Sequence, residues 1–194
     1  MTAPALALSR PVHLRCQTGE TGELLKRLGR RELDILLTDR QPDFNDAGQF
    51  RATQLASSSI SLFAAPALSD RLMSGFPASL DHQPFLTTSL NAPYINDLMN
   101  WFAAQRIRIN VVAEVDDSAL IKVFGRSGLG YFAAPTVIRE EVCRQYEVTC
   151  IGAIEQVRET LYAVTRGRSS SNPGVNALLH ARPDLDDSIE KTEQ

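Results

Sequence analysis

No stretch of the 194 residues approaches the roughly 18 consecutive apolar positions of a membrane-spanning helix. The opening MTAPALALSRP has no basic segment ahead of its short apolar patch, so neither a membrane span nor an export signal is expected. Excess positive charge is missing as well. Twenty Lys and Arg stand against 23 Asp and Glu, a formal net charge of −3, and the longest basic cluster is Lys26, Arg27, Arg30 and Arg31. Such a chain has no electrostatic footprint for nucleic acid. Cysteine is scarce and odd in number: Cys16, Cys143 and Cys150 lack metal-ligand spacing and read as reduced thiols of a cytoplasmic protein. A redox switch is the weaker alternative, since nothing nearby in the sequence lowers a thiol pKa. His13, His82 and His180 have no carboxylate or cysteine at ligand spacing. The nucleophile elbow, the H-E-x-x-H motif, the P-loop and the kinase signatures are all missing, so neither catalysis nor a cofactor is expected.

What is present is α/β grammar. GRSGLGYFAAP, Gly125 to Pro135, tests whether glycines here cradle a phosphate. A dinucleotide fingerprint follows a strand and opens a helix. Here Leu120, Ile121 and Phe124 form a helical face before the glycines, and Tyr131 to Ala134 form an apolar strand after them. The glycines therefore close a helix and enter a strand, which is scaffold chemistry.

Val12, Leu14 and Cys16 alternate with His13 and Arg15 as in a strand. Leu24, Leu25, Leu28 and Leu33 then mark a helix opposite its basic side, and LDILLTD, Leu33 to Asp39, is an apolar strand. Together they predict a parallel βαβ unit. A second unit follows: PFLTTS (Pro84 to Ser89) as strand, Ile95, Leu98, Met99 and Phe102 as helix, INVVAEVDD (Ile109 to Asp117) as strand, and Ser118 to Phe124 as helix. FRATQLASSSISLFAAP and VTCIGAIEQVRETLYAVTRG flank it as crossing strands, and NPGVNALLH forms one short helix. The expectation is two α/β lobes, 1–65 with 155–194 and 66–154, each with a sheet of its own, and a frayed acidic tail over 182–194.

EVDDSALIKVFGRSGLGYFAAP, preceded by SLDHQPFLTTS and by HLRCQTGETGELLKRLGRRELDILLTD, resembles the effector-binding region of LysR-type transcriptional regulators. The resemblance runs from Pro11 to His180 and rests on several blocks in order. Within the group PVHLRC, LMNWFAAQ, and EVDDSALIKVFG with APT after it are most similar to an activator of a sodium/proton antiporter gene. The resemblance implies a type 2 periplasmic-binding-protein-like fold, two Rossmann-like lobes joined by two crossover strands. It also implies a small-molecule or monovalent-cation effector, here sodium or alkaline pH, and a homo-oligomer. DNA would be bound only through an N-terminal winged helix-turn-helix, which this sequence does not contain. The family's first strand, central in the first lobe, is not found either, since the segment before Pro11 reads as the end of the helix that follows it. Edges left unpaired by a missing strand favour self-association or marginal stability. A solute-binding protein or a small two-lobed α/β enzyme is the competing class.

Candidate effector contacts lie at strand ends and helix starts, where open α/β sheets bind ligands. In the first lobe they are Thr18, Gly19, Glu20, Thr38 and Asp39; in the second, Thr88, Ser89, Asp116, Asp117 and Ser118. Each has a plainer reading. Thr18 and Thr21 suit helix N-caps, Thr38 and Asp39 suit a turn, and Asp117 or Ser118 suits a cap. The two groups are expected to face each other across a cleft. The adjacent carboxylates of Asp116 and Asp117 repel, and a cation, which the resemblance makes sodium, or a donor-rich ligand would relieve that; helix N-termini at Thr21 and Ser118 favour a carboxylate ligand instead. The charge balance leans to a cation or a water-filled polar cleft.

Overall fold

The computed structural model describes residues 3–9, 12–41, 49–88, 92–167 and 172–180. In chain order the elements are α1 (Ala3–Leu6), α2 (Thr21–Gly29), β1 (Leu36–Thr38), β2 (Phe50–Ala64), α3 (Pro66–Met73), β3 (Pro84–Thr87), α4 (Pro93–Ala104), β4 (Asn110–Glu114), α5 (Ser118–Arg126), β5 (Tyr131–Pro135), α6 (Arg139–Tyr146), β6 (Thr149–Arg166) and α7 (Pro173–His180). Short 3-10 turns occupy Ala78–Leu80 and Thr136–Ile138. The chain divides into two compact units, Met1–Ser57 with Thr160–Gln194, and Ser58–Glu159. Ser89 and the tail over 182–194 lie outside the described residues.

In the second unit β3 pairs in parallel with both β4 and β5, while β5 pairs antiparallel with β2. Alternation along the strands sorts side chains into two cores. Phe85 and Tyr131 face a cluster with Ile60, Leu62, Ile95, Leu98 and Phe102. Leu86 and Phe132 face another with Phe63, Ile121, Val142 and Val148. Helices α3 and α4 supply the first cluster, α5 and α6 the second. Pro66 and Pro93 stand at the starts of α3 and α4, where a missing N–H costs nothing.

The glycines of GRSGLGYFAAP are scaffold, for two separate reasons. Gly128 has a φ of 77°, and it closes α5 by donating from its N–H to the carbonyl of Gly125 at 3.0 Å, with Leu129 donating to Phe124 at 3.3 Å. Gly125 lies on the Phe132 ring so closely that a Cβ would come within 2.3 Å of it.

The first unit corrects several expectations. Residues 12–16 form no strand and β1 is only three residues long, pairing antiparallel with β6, so the parallel βαβ unit expected there is not formed. Alternation states only which side chains would share a face; pairing is a separate requirement, and residues 12–16 pair with no strand although β1 stands at the end of the sheet. A small core of Leu24, Leu28, Leu36 and Val164 holds α2 on the sheet, and α1 lies against α7. The expectation of a separate sheet per lobe is also corrected. All six strands join in the order β1-β6-β2-β5-β3-β4, because β2 and β6, 15 and 18 residues long, each run from one unit into the other.

Two outcomes follow from these contacts. Gly125→Ala must push the Phe132 ring out of a filled core, and urea denaturation is expected to register a loss of about 1–3 kcal/mol. Asp81 receives the Arg108 backbone N–H at 2.7 Å and its guanidinium at 2.9 Å, and this donor set holds its carboxyl at about 2, below the ordinary carboxylate value. A depressed folded-state pKa adds stability above the unfolded value and loses it as pH falls towards 2. Asp81→Asn should therefore lower the urea midpoint at neutral pH, and the gap from wild type should narrow between pH 4 and pH 2.

Candidate functional site

Because β4, β3 and β5 run parallel, their carboxyl ends share one rim of the second unit. Thr87 pairs with Glu114, and the N–H of Val115 donates to the Thr87 carbonyl at 2.9 Å, so the ends of β3 and β4 are held side by side. This brings together two sets expected from the sequence, Thr88 after β3 and Asp116 to Ser118 after β4. Thr87 is buried and donates its hydroxyl to the Thr88 carbonyl at 3.1 Å. The Thr88 hydroxyl is shut off from solvent and has no hydrogen-bond partner. An unpaired buried hydroxyl costs about 1–3 kcal/mol, so its presence at a strand end needs a reason.

The third strand end carries a hydroxyl cluster that sequence reasoning missed. Thr136 follows β5 and its Oγ1 takes the Ser59 hydroxyl at 2.9 Å and meets that of Ser61 at 2.8 Å. Ser58 receives the Val137 N–H at 3.0 Å and donates to the Ser59 carbonyl at 2.9 Å. All three serines are buried. Their signal was visible in the sequence: SSSIS sets four hydroxyls into an otherwise apolar crossing strand, where valines would pack better.

Asp117 is the N-cap of α5, accepting from the N–H of Ala119 at 2.7 Å and of Leu120 at 3.3 Å. Its charge is thus met by helix donors, which relieves the repulsion with exposed Asp116 without any ion. Half-buried Lys122 donates to the Ser118 carbonyl at 3.0 Å. Burial pulls the Lys122 ammonium below its usual pKa, while Asp117, Glu159 and Glu141 pull the other way. Among the described residues no cluster of three or more His, Cys, Asp or Glu could hold a metal ion.

In the first unit the expected residues are placed differently. Thr18, Gly19 and Glu20 are exposed, and the N-cap of α2 is Glu20, with no side-chain bond, rather than Thr18 or Thr21. Thr21 is the first helical residue; the N-cap position falls one residue earlier because Glu20 keeps the extended backbone that a cap requires. Thr38 is buried at the end of β1 and accepts from the Arg40 N–H at 3.2 Å, a turn contact, with Asp39 beside it half-buried.

A parallel sheet rim rich in hydroxyls, backed by helices on both faces, is the architecture of a ligand-binding α/β domain, and the chain belongs to the LysR substrate binding domain family, whose model matches residues 7–182. It is an effector-binding regulatory domain with a type 2 periplasmic-binding-protein-like fold, from a family of transcription regulators rather than enzymes. Over 176 residues it is 26% identical to the transcriptional activator protein NhaR of Escherichia coli, covering 91% of this chain and 58% of that protein, and equally to NhaR of Shigella flexneri. The chain thus spans less than two thirds of these curated relatives. Among solved structures it is similar to the DNA complex of DarR from Vibrio fischeri (TM-score 0.70, 18% identity, 95% of this chain and 62% of that one). It is also similar to the regulatory domain of HypT from Salmonella typhimurium (TM-score 0.65, 17% identity, 90% and 84%).

The cap at Asp117 gives a direct test of how the rim is held. Asp117→Ala should cost about 1 kcal/mol in thermal or urea unfolding, and Asp117→Asn, which keeps the acceptor oxygen, only a small part of that.

Proposed function

We propose that this chain is the sensing part of a NhaR-like transcriptional activator that responds to sodium or alkaline pH. In the full regulator, DNA binding belongs to a winged helix-turn-helix outside these residues, and the working species is a cytoplasmic homo-oligomer. The observation that carries the reading is the Thr88 hydroxyl, buried and unpartnered at the carboxyl end of β3. It stands on the same rim as Asp116, Ser118 and the Thr136 hydroxyl cluster. An oxygen-only set of hydroxyls, carbonyls and one free carboxylate suits a hard monovalent cation. In the sequence, Ser89 follows Thr88 directly and belongs to the proposed contact set; Thr18, Gly19, Glu20, Thr38 and Asp39 stay a separate candidate set of the first unit. Similarity to NhaR supports the choice of sodium over other effectors.

An effector that favours one conformation of the sensor shifts the population of the whole regulator, and transcription reads that shift. No chemistry on the effector is required. Regulators of this family bind small-molecule effectors and DNA and are oligomeric.

The test is a melting-temperature titration of the full-length regulator with sodium, lithium and potassium at fixed ionic strength and pH, and separately with small carboxylates. A ligand near 100 times its Kd adds about 2.7 kcal/mol, which for a domain of this size is about 5–10 °C. Sodium-specific stabilisation of that order, lost in Thr88→Val and in Asp116→Asn, is the expected result. Stabilisation by a carboxylate that survives both substitutions would sink the cation reading, and no response to either substitution would sink the rim as the site.

A further inference from the structure

We infer that Lys122 sets the ion preference of the rim: its ammonium, folded back onto the first turn of α5, offsets one carboxylate charge and restricts the site to monovalent cations. This inference rests on the cation reading of the rim. Lys122 Nζ donates to the Ser118 carbonyl at 3.0 Å, so the ammonium stands at the start of α5, beside the Asp117 cap. The helix dipole is positive there, which makes it an unfavourable end for a cation. A lysine with no tie extends its head into water. Two contacts hold this one back. Nζ lies over the Tyr146 ring of α6, 5.8 Å from its centroid. Arg126 at the end of α5 pairs with Glu147, the residue after Tyr146, which fixes that end of α6 against α5.

Charge decides what this placement does. Asp116 and Asp117 bring two carboxylates to the rim after β4, and Lys122 brings one ammonium back to the same helix start. Glu159 of β6 and Glu141 of α6 also act on that ammonium, and Asp117 acts on it more strongly than either. Strands β3 and β5, which pack on α5 as well, carry no charged side chain. Coulomb energy scales with the charge of the ion, so a fixed ammonium opposes a divalent ion twice as strongly as a monovalent one. Removing it changes the divalent affinity by the square of the monovalent factor: about threefold for sodium corresponds to about tenfold for calcium. Calcium takes oxygen donors too, and its affinity is tuned by the number of carboxylate charges around it. The Lys122 ammonium therefore leaves the hydroxyl and carbonyl oxygens of the rim to a monovalent ion and withholds the charge that a divalent ion needs. In the sequence Lys122 is one polar position of an amphipathic helix; the ring that folds it back comes from α6.

The experiment follows the melting temperature of the 194-residue chain and its variants in sodium chloride and in calcium chloride, with choline chloride holding the ionic strength constant. In the unaltered chain sodium stabilises and calcium has the weaker effect. Lys122→Met keeps the stem and removes the charge; it is expected to bind calcium about tenfold and sodium about threefold more tightly. Lys122→Arg keeps the charge and should match the unaltered chain. Ser118→Glu reaches the same rim charge by another route, adding a carboxylate at an exposed helix start that favours it. It should show the same gain in calcium affinity, and it decides the matter even where Lys122→Met weakens the fold. The inference is overturned if neither Lys122→Met nor Ser118→Glu gains calcium, or if Lys122→Arg gains as much as Lys122→Met. It is overturned equally if both ions gain by the same factor, as a purely structural change would give. Sodium stabilisation of the unaltered chain without these gains removes this inference alone; no response to either ion in any of the chains removes the cation reading with it.

Discussion

Parallel pairing of β3 with β4 on one side and β5 on the other is the constraint from which the second unit follows. A slip of one residue would exchange the two faces of a strand, so the register is fixed by what each face buries. On one face Phe85, Tyr131 and Phe102 meet as a three-ring cluster, with centroids 4.9 to 6.4 Å apart. On the other, Phe132 stacks with Phe63 at 5.6 Å. Exchanging these sets would put the Phe132 ring under α4 and pull it away from the Cβ-less surface at Gly125. Once the register is set, three carboxyl ends must come out at the same edge, and the polar residues after each strand are collected there without any contact among themselves to bring them.

Among the described residues two buried hydroxyls lack partners, and they stand in different settings. Tyr131 is fully buried among rings, and burial pushes its phenol well above the usual tyrosine pKa. It is a permanently neutral group surrounded by carbon, whose unpaired oxygen is a cost carried by an otherwise favourable ring. Thr88 is at the end of a strand, beside the strand end that carries Glu114 and Val115, and its hydroxyl is closed off from solvent. The same deficit lies among rings in one place and at a polar strand end, the position that the proposed effector site uses, in the other.

Much of the second unit was legible in the sequence because its elements carry their own signals. PFLTTS, the helix around Leu98, INVVAEVDD and the Gly125 to Gly130 turn each announce period, cap or stop locally, and the structure places β3, α4, β4, α5 and β5 on them. The first unit was less legible. Val12, Leu14 and Cys16 have the alternation of a strand, but alternation only states which side chains would share a face; the ladder depends on a neighbouring edge that local sequence cannot supply. Helix α6 was missed because Arg139 to Tyr146 has one buried residue, Val142, and so almost no apolar stripe. For the site, the sequence marked Thr88 and Asp116 to Ser118 through their places after strands. It missed Thr136 and the serines, whose meeting depends on antiparallel register between residues more than seventy positions apart.

The chain has a single tryptophan, Trp101, and its partly buried indole lies between Phe76 at 6.3 Å and Phe102 at 5.4 Å, packed against the first cluster of the second unit. Its emission therefore reports on that cluster. Any breach of the β3 and α4 layer gives water fuller access to the ring and shifts the emission to longer wavelength. The molecule thus carries a built-in optical marker for the melting of its second unit, with no label added.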